Sequence, residues 1–157
     1  MDIGQCIKET FCVIGKEGST NDGEGFVSKL WEEANGNYAE IEGLVKIDED
    51  GIPAGFWGAM SDMGRKFKPW ENDFSKGLYL AGAEVVDDAV PPIGWVKWTI
   101  PSYEYLYVKV EDEVSNVFPL VLKYIEENNL ELVGAIHDYM CPREDGQLYM
   151  FFPIKEI

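Results

Sequence analysis

His137, Asp138 and Tyr139 stand side by side near the C-terminal end of the chain, and His137 is its sole histidine. They belong to the run Val133-Gly-Ala-Ile-His-Asp-Tyr-Met-Cys-Pro142, followed by Gln147-Leu-Tyr-Met-Phe-Phe-Pro-Ile154. A Pro-Arg-Glu-Asp-Gly turn at 142–146 separates the runs, which predicts two short strands with polar groups set into an apolar sheet. An imidazole that titrates near neutrality is suited to general acid or base work. A carboxylate among rings is suited to pairing with a cation. Neighbours on a strand point to opposite faces, so His137 and Asp138 are a poor acid–base pair with each other. His137 shares a face with Tyr139, whereas Asp138 shares one with Ile136 and Met140. Each also has a structural reading: a buried imidazole bonded to a backbone carbonyl, and a surface acid paired with Arg143.

Glu104 is the second acid of interest. It stands between Tyr103 and Tyr105 and heads the face continued by Leu106, Val108 and Val110. Such an acid is either at a sheet rim or a buried carboxylate with a raised pKa, and the latter suits hydrolysis. Glu104 and Asp138 are therefore the catalytic candidates. Trp57, Trp95, Tyr103, Tyr105, His137, Asp138, Tyr139 and Tyr149 form the expected ligand-binding set. The usual nucleophilic and nucleotide motifs, such as Gly-x-Ser-x-Gly and G-x-G-x-x-G, are missing. Three cysteines (Cys6, Cys12, Cys141) without C-x-x-C spacing, beside one histidine, are too few for a zinc centre, so neither metal nor cofactor is expected.

The elements that must position these residues follow from patterning. A strand is expected over residues 8–17, then a helix from Glu24 to Asn35 with Asn21 or Asp22 capping it. Ala54–Asp62 and Gly77–Val85 read as strands around a locally basic loop at 63–75. Gly94–Ile100 and Ser102–Val110 read as two more. Val114, Val117, Phe118, Val121 and Ile125 mark a second amphipathic helix, expected to begin near Ser115 or Asn116 so that Pro119 falls in its first turn. Lys29-Leu-Trp-Glu-Glu-Ala-Asn35 aligns with Lys123-Tyr-Ile-Glu-Glu-Asn-Asn129, each preceded by a strand and followed by two. The expected architecture is α+β: tandem pseudo-symmetric β-α-β-β repeats, about 5–86 and 93–157, form one antiparallel sheet. Both helices lie on one face and a ligand groove on the other.

At 157 residues one domain is expected over 1–157. Twenty-nine acidic against 13 basic residues give a net charge of −16, which repels phosphate backbones, and no direct nucleic-acid binding is expected. An acidic surface leaves a protein partner open. No apolar run approaches the roughly 20 residues of a membrane span, and the unpaired thiols suit a reducing compartment, so a soluble cytoplasmic protein is expected.

Leu30-Trp31, Gly77-Leu-Tyr-Leu-Ala-Gly-Ala-Glu-Val85, Gly94-Trp95 leading to Thr99-Ile-Pro-Ser-Tyr-Glu-Tyr105, Val133-Gly-Ala-Ile-His-Asp-Tyr139 and Phe152-Pro-Ile154 together resemble the GyrI-like family. That family includes the effector-binding domains of multidrug-responsive AraC- and MerR-type regulators. The resemblance implies an aromatic groove for bulky, often cationic, compounds, with an acid near the penultimate strand receiving the positive charge. It leaves two alternatives: some members are similar to hydrolases of cyclopropane-bearing toxins, and a gyrase-inhibitor-like protein would engage a protein partner. The regulators' Glu-x-Tyr pattern places His137 at the acid's position, or Asp138 if the register shifts by one. With no room for a helix-turn-helix domain, a stand-alone module is expected.

Overall fold

The computed structural model describes residues 2–111 and 113–157. Eight strands build one antiparallel sheet: β1 (Ile3–Lys8), β2 (Phe11–Ser19), β3 (Phe56–Ser61), β4 (Leu78–Val85), β5 (Val96–Ile100), β6 (Tyr103–Lys109), β7 (His137–Cys141) and β8 (Gln147–Glu156). Their spatial order is β1-β6-β8-β7-β3-β4-β2-β5. Helix α1 (Phe26–Gly36) follows β2, a four-residue turn α2 (Glu71–Phe74) precedes β4, and helix α3 (Val114–Glu127) follows β6. The fold is α+β, with α1 and α3 against the same face.

Two connections control the sheet's shape. Glu9-Thr10 joins β1 to β2, and Pro101-Ser102 joins β5 to β6. Each links strands from near opposite edges of the order, so two residues must span what a flat sheet would hold several strand spacings apart. The sheet therefore curls until its edges meet at that end. There the Thr10 amide donates to Ser102 Oγ at 2.8 Å, and the two hydroxyls lie 3.0 Å apart. The inside of the curl carries Phe11, Val13, Trp57, Leu80, Trp98 and Ile100, all buried. Lys8 of β1 reaches across it to Glu84 of β4 at 3.2 Å, a contact that only a concave face permits.

The helices lie on the convex side. Leu30 and Ala34 of α1 pack on Cys12, Ile14, Tyr79 and Ala81. Val117, Val121 and Ile125 of α3 pack on Leu106, Val108, Met150 and Phe152.

Local chemistry moved three boundaries. Asn21 and Asp22 do not cap α1; they form their own 3-10 turn, in which Ser19 Oγ accepts the Asn21 amide and Asp22 Oδ2 the Ser19 amide. Gly25, at φ 76°, leads into α1 instead, a conformation glycine adopts without penalty. Helix α3 starts at Val114, after Glu113 in an extended conformation, so Pro119 sits in the second turn rather than the first. Residues 3–8 form a separate strand because the chain crosses from one sheet edge to the other at Glu9-Thr10.

Candidate functional site

Strand alternation sends His137, Tyr139, Tyr103, Tyr105 and Trp57 to the concave side, where they fill the curl themselves; Tyr149 is half-buried and borders an open recess with Tyr107. The Trp57 ring centroid lies 4.6 Å from that of Tyr139 and 5.3 Å from that of Phe151, and Tyr105 lies 5.5 Å from Phe151. Trp57, Tyr103 and Tyr105 are buried. Their polar atoms are mostly committed: Trp57 Nε1 donates to Glu84 at 3.1 Å, Tyr139 to the Ala54 carbonyl at 2.9 Å, and Tyr149 to Glu144 at 2.7 Å. Tyr105 is the exception, with a buried hydroxyl that has no partner and a pKa pushed up by burial. Trp95 lies on the convex side, bonded to Glu40 at 2.9 Å, with the Lys16 ammonium 4.2 Å above its ring.

His137 serves the sheet. The β3–β7 ladder ends at Gly58 and Asp138, and the next outward amide, that of Met60, donates to His137 Nδ1 at 3.0 Å. The partner is a backbone N–H, not the carbonyl expected, and accepting at Nδ1 puts the neutral ring's proton on Nε2. Complete burial lowers the pKa to about 3, far from a value useful to a proton carrier near neutrality. As the chain has one histidine, its imidazole NMR signals should stay fixed between about pH 5 and 8; a titration midpoint near the ordinary 6.5 would show the ring to be accessible.

Asp138 is on the opposite, convex face with Ile136 and Met150, in phase with Gly58 of the neighbouring strand. No bulge re-aims it, because a cavity lies on that same face. This cavity, about 220 Å³, sits between α3 and the segment 69–74, over β3, β7 and β8. Met60, Ile136 and Met150 form its floor. Trp70 and Phe74 wall it on one side, Val114 and Phe118 on the other. The wall bridges both helices, since Trp70 stacks with Phe26 of α1 at 6.5 Å and Phe74 meets Phe118 of α3 edge-on at 5.0 Å. Phe74 reaches its place through a left-handed turn: Asn72, Asp73 and Phe74 have φ of 51°, 58° and 63°. That conformation costs side-chain-bearing residues about 1 kcal/mol or more each and persists only where packing enforces it.

Asp138 is the charged residue among the described residues of that lining. Some of the residue's surface remains exposed at the cavity wall, but its carboxyl is enclosed. Oδ2 accepts from Tyr79 at 3.0 Å, and Tyr79 in turn accepts from Trp31 Nε1 at 3.1 Å. Oδ1 is sealed from solvent and has no partner. Burial raises the pKa from 3.8 to about 6, against the opposing pull of the Tyr79 hydrogen bond.

Glu104 is not brought to this cavity. It accepts from Gln5 at 2.5 Å beside a register shift in the β6–β8 pairing. Arg143 pairs with Asp48 and Asp50, not Asp138. Sequence reasoning missed Met60, Trp70, Phe74, Phe118 and Tyr79. Its one available signal was that Asp138 alternates in phase with Ile136 and Met140. Among the described residues no cluster of three or more His, Cys, Asp and Glu side chains could hold a metal, and no helix is long and apolar enough to cross a membrane.

No family model matches the sequence, and no curated protein matches it. Solved structures do. The chain is similar to SAV2435, determined bound to tetraphenylphosphonium, with a TM-score of 0.68 at 15% identity over 99% of this chain and 94% of that one. It is similar to the EcmrR C-terminal domain, with a TM-score of 0.66 at 12% identity over 99% and 98%. A putative transcription regulation protein from Staphylococcus aureus MU50 aligns with a TM-score of 0.60 at 12% identity over 99% of both chains. At such identities the likeness is one of fold alone.

Proposed function

We propose that this protein binds bulky hydrophobic cations in the cavity between α3 and the segment 69–74, with Asp138 as the counter-ion. The observation that carries this reading is the enclosed carboxylate of Asp138, left with one oxygen unpartnered at the wall of an otherwise uncharged, mostly aromatic and aliphatic cavity. Isolated charges are costly inside proteins unless something compensates them, and a ligand cation would do so. The rings of Trp70, Phe74 and Phe118 add faces on which a cation is attracted. Tetraphenylphosphonium in SAV2435 is a ligand of this kind and supports the reading by likeness of fold. A cavity of about 220 Å³ holds one or two rings, as about 150 Å³ suffices for benzene. A larger ligand therefore has to move the Phe74–Phe118 wall.

The test is a calorimetric titration with tetraphenylphosphonium, followed in parallel by tryptophan fluorescence. The expected result is saturable binding with quenching, recovery of the ligand unchanged, and loss of both signals in Met150→Trp, which fills the floor. Equal binding by that variant would place the ligand elsewhere. Turnover of a cyclopropane-bearing electrophile, lost in Asp138→Asn, would favour the hydrolase alternative.

A further inference from the structure

Tyr79 stands on β4, Asp138 on β7, and β3 runs between them. The phenol crosses that intervening strand at Gly58: a Cβ there would lie 1.8 Å from the Tyr79 oxygen and 3.1 Å from Asp138 Cβ. Glycine at 58 thus opens a path no other residue would leave. On the far side, Trp31 of α1 donates its indole N–H to the same phenol oxygen.

The direction of this chain is fixed. An indole N–H only donates, so the Tyr79 oxygen spends a lone pair on Trp31 and its single proton goes to Asp138 Oδ2. Burial pushes the phenol's pKa well up, so the proton stays. Oδ2 is therefore committed as an acceptor, and Oδ1, sealed and without a donor, is the oxygen left to accept from a ligand that displaces the wall over it.

We infer that Tyr79, admitted by Gly58 and oriented by Trp31, is the positioning residue that leaves Asp138 one unpartnered oxygen, and that the site selects cations carrying an N–H donor (protonated amines or amidines) over onium ions that carry none. This rests on the cavity reading above. A quaternary ion offers Oδ1 its charge alone. A protonated amine offers charge and a hydrogen bond, and a charge-assisted bond in an enclosed site outweighs the amine's stronger hydration only if the oxygen has no other donor. The groups facing Asp138 are Tyr79 from β4, with Trp31 of α1 behind it. The cavity walls contributed by α2 and its approach, α3 and β8 are uncharged.

The probes are diphenylpropylammonium and its N-trimethylated counterpart, which match in rings and charge, titrated calorimetrically from about pH 5 to 8. Wild type should bind the primary ammonium about ten-fold more tightly. Tyr79→Phe removes the hydrogen bond that fixes the carboxylate's orientation and favours its charged form, so Oδ1 is no longer held toward the ligand. The preference should shrink to within about two-fold, and the pH midpoint for binding should move upward. Gly58→Ala keeps the phenol but displaces it, and should behave alike, which separates positioning from loss of the hydroxyl. If wild type binds both cations equally, or if Tyr79→Phe keeps preference and midpoint, the inference is overturned and the cavity reading stands. If wild type binds neither, or Asp138→Asn binds both as wild type does, the cavity reading itself fails.

Discussion

Asp138→Asn should lower affinity for a hydrophobic cation about 30- to 100-fold and, in the unliganded protein at pH 7, raise stability by roughly 2 to 3 kcal/mol. Opposite signs for binding and stability are the expected signature of a charge held against its preference. Burial raises the Asp138 pKa from 3.8 to about 6, so at pH 7 the folded chain maintains an ionised group that it would rather protonate. That difference corresponds to roughly 3 kcal/mol. Asparagine removes the charge while its amide oxygen still accepts from Tyr79, so the network keeps its geometry. A ligand cation close to the carboxylate at an effective dielectric near 20 gains about 3 to 4 kcal/mol, and part of this is lost to desolvation of the ligand. Urea midpoints and calorimetric titration of the two proteins check both halves. A variant that binds equally well, or melts earlier, would remove Asp138 from the site.

His137 and Asp138, adjacent in sequence, should drive stability in opposite directions as pH falls. Burial lowers the His137 pKa from 6.5 to about 3, so below about pH 6.5 the unfolded chain takes up a proton that the folded one refuses. Its contribution to stability is fully present above 6.5 and is lost as pH falls toward 3, at about 1.4 kcal/mol per pH unit. Asp138 has a raised folded pKa, so its native state binds a proton first. Stability rises as pH falls from about 6 to 3.8, with the same slope and opposite sign. Between about pH 4 and 6 the two nearly cancel. Asp138→Asn should therefore lose roughly 3 kcal/mol more than wild type over that interval. His137→Gln, whose side-chain oxygen can still accept the Met60 amide, should gain relative to wild type by a similar amount. Urea unfolding at several pH values measures each difference, and parallel curves for all three proteins would mean that neither group is sealed as described.

The hydrogen bonds around these two residues also show how far alternation carries. From the order of residues alone, His137 and Tyr139 had to share one face and Asp138 the other, and they do. The two amphipathic helices followed from apolar spacing, and the antiparallel sheet with both helices on one face from the repeated order of strands and helices. Most of the rings expected to line a groove opposite the helices are instead packed on one another inside the curl, with Trp57 and Tyr105 almost wholly buried, while Trp95 lies on the helix side. A side-chain pattern reports which face a residue occupies, but not whether that face is concave.

Curvature came from two connections, Glu9-Thr10 and Pro101-Ser102, whose significance depends on strand order. Strand order is a matter of non-local pairing, and no local spacing encodes it. Once the edges meet, the concave face closes over its aromatic residues and the cavity beside Asp138 falls on the convex side, against α3. The left-handed turn at Asn72–Phe74 and the passage over Gly58 then supply the cavity's wall and its acid's partner. The order of residues by itself determined the elements, their faces and a lone acid among apolar neighbours, because these depend on periods of two and 3.6 along the chain. Only the tertiary structure decided which side holds the cavity and which oxygen of Asp138 lacks a partner, because both depend on contacts between strands distant in sequence.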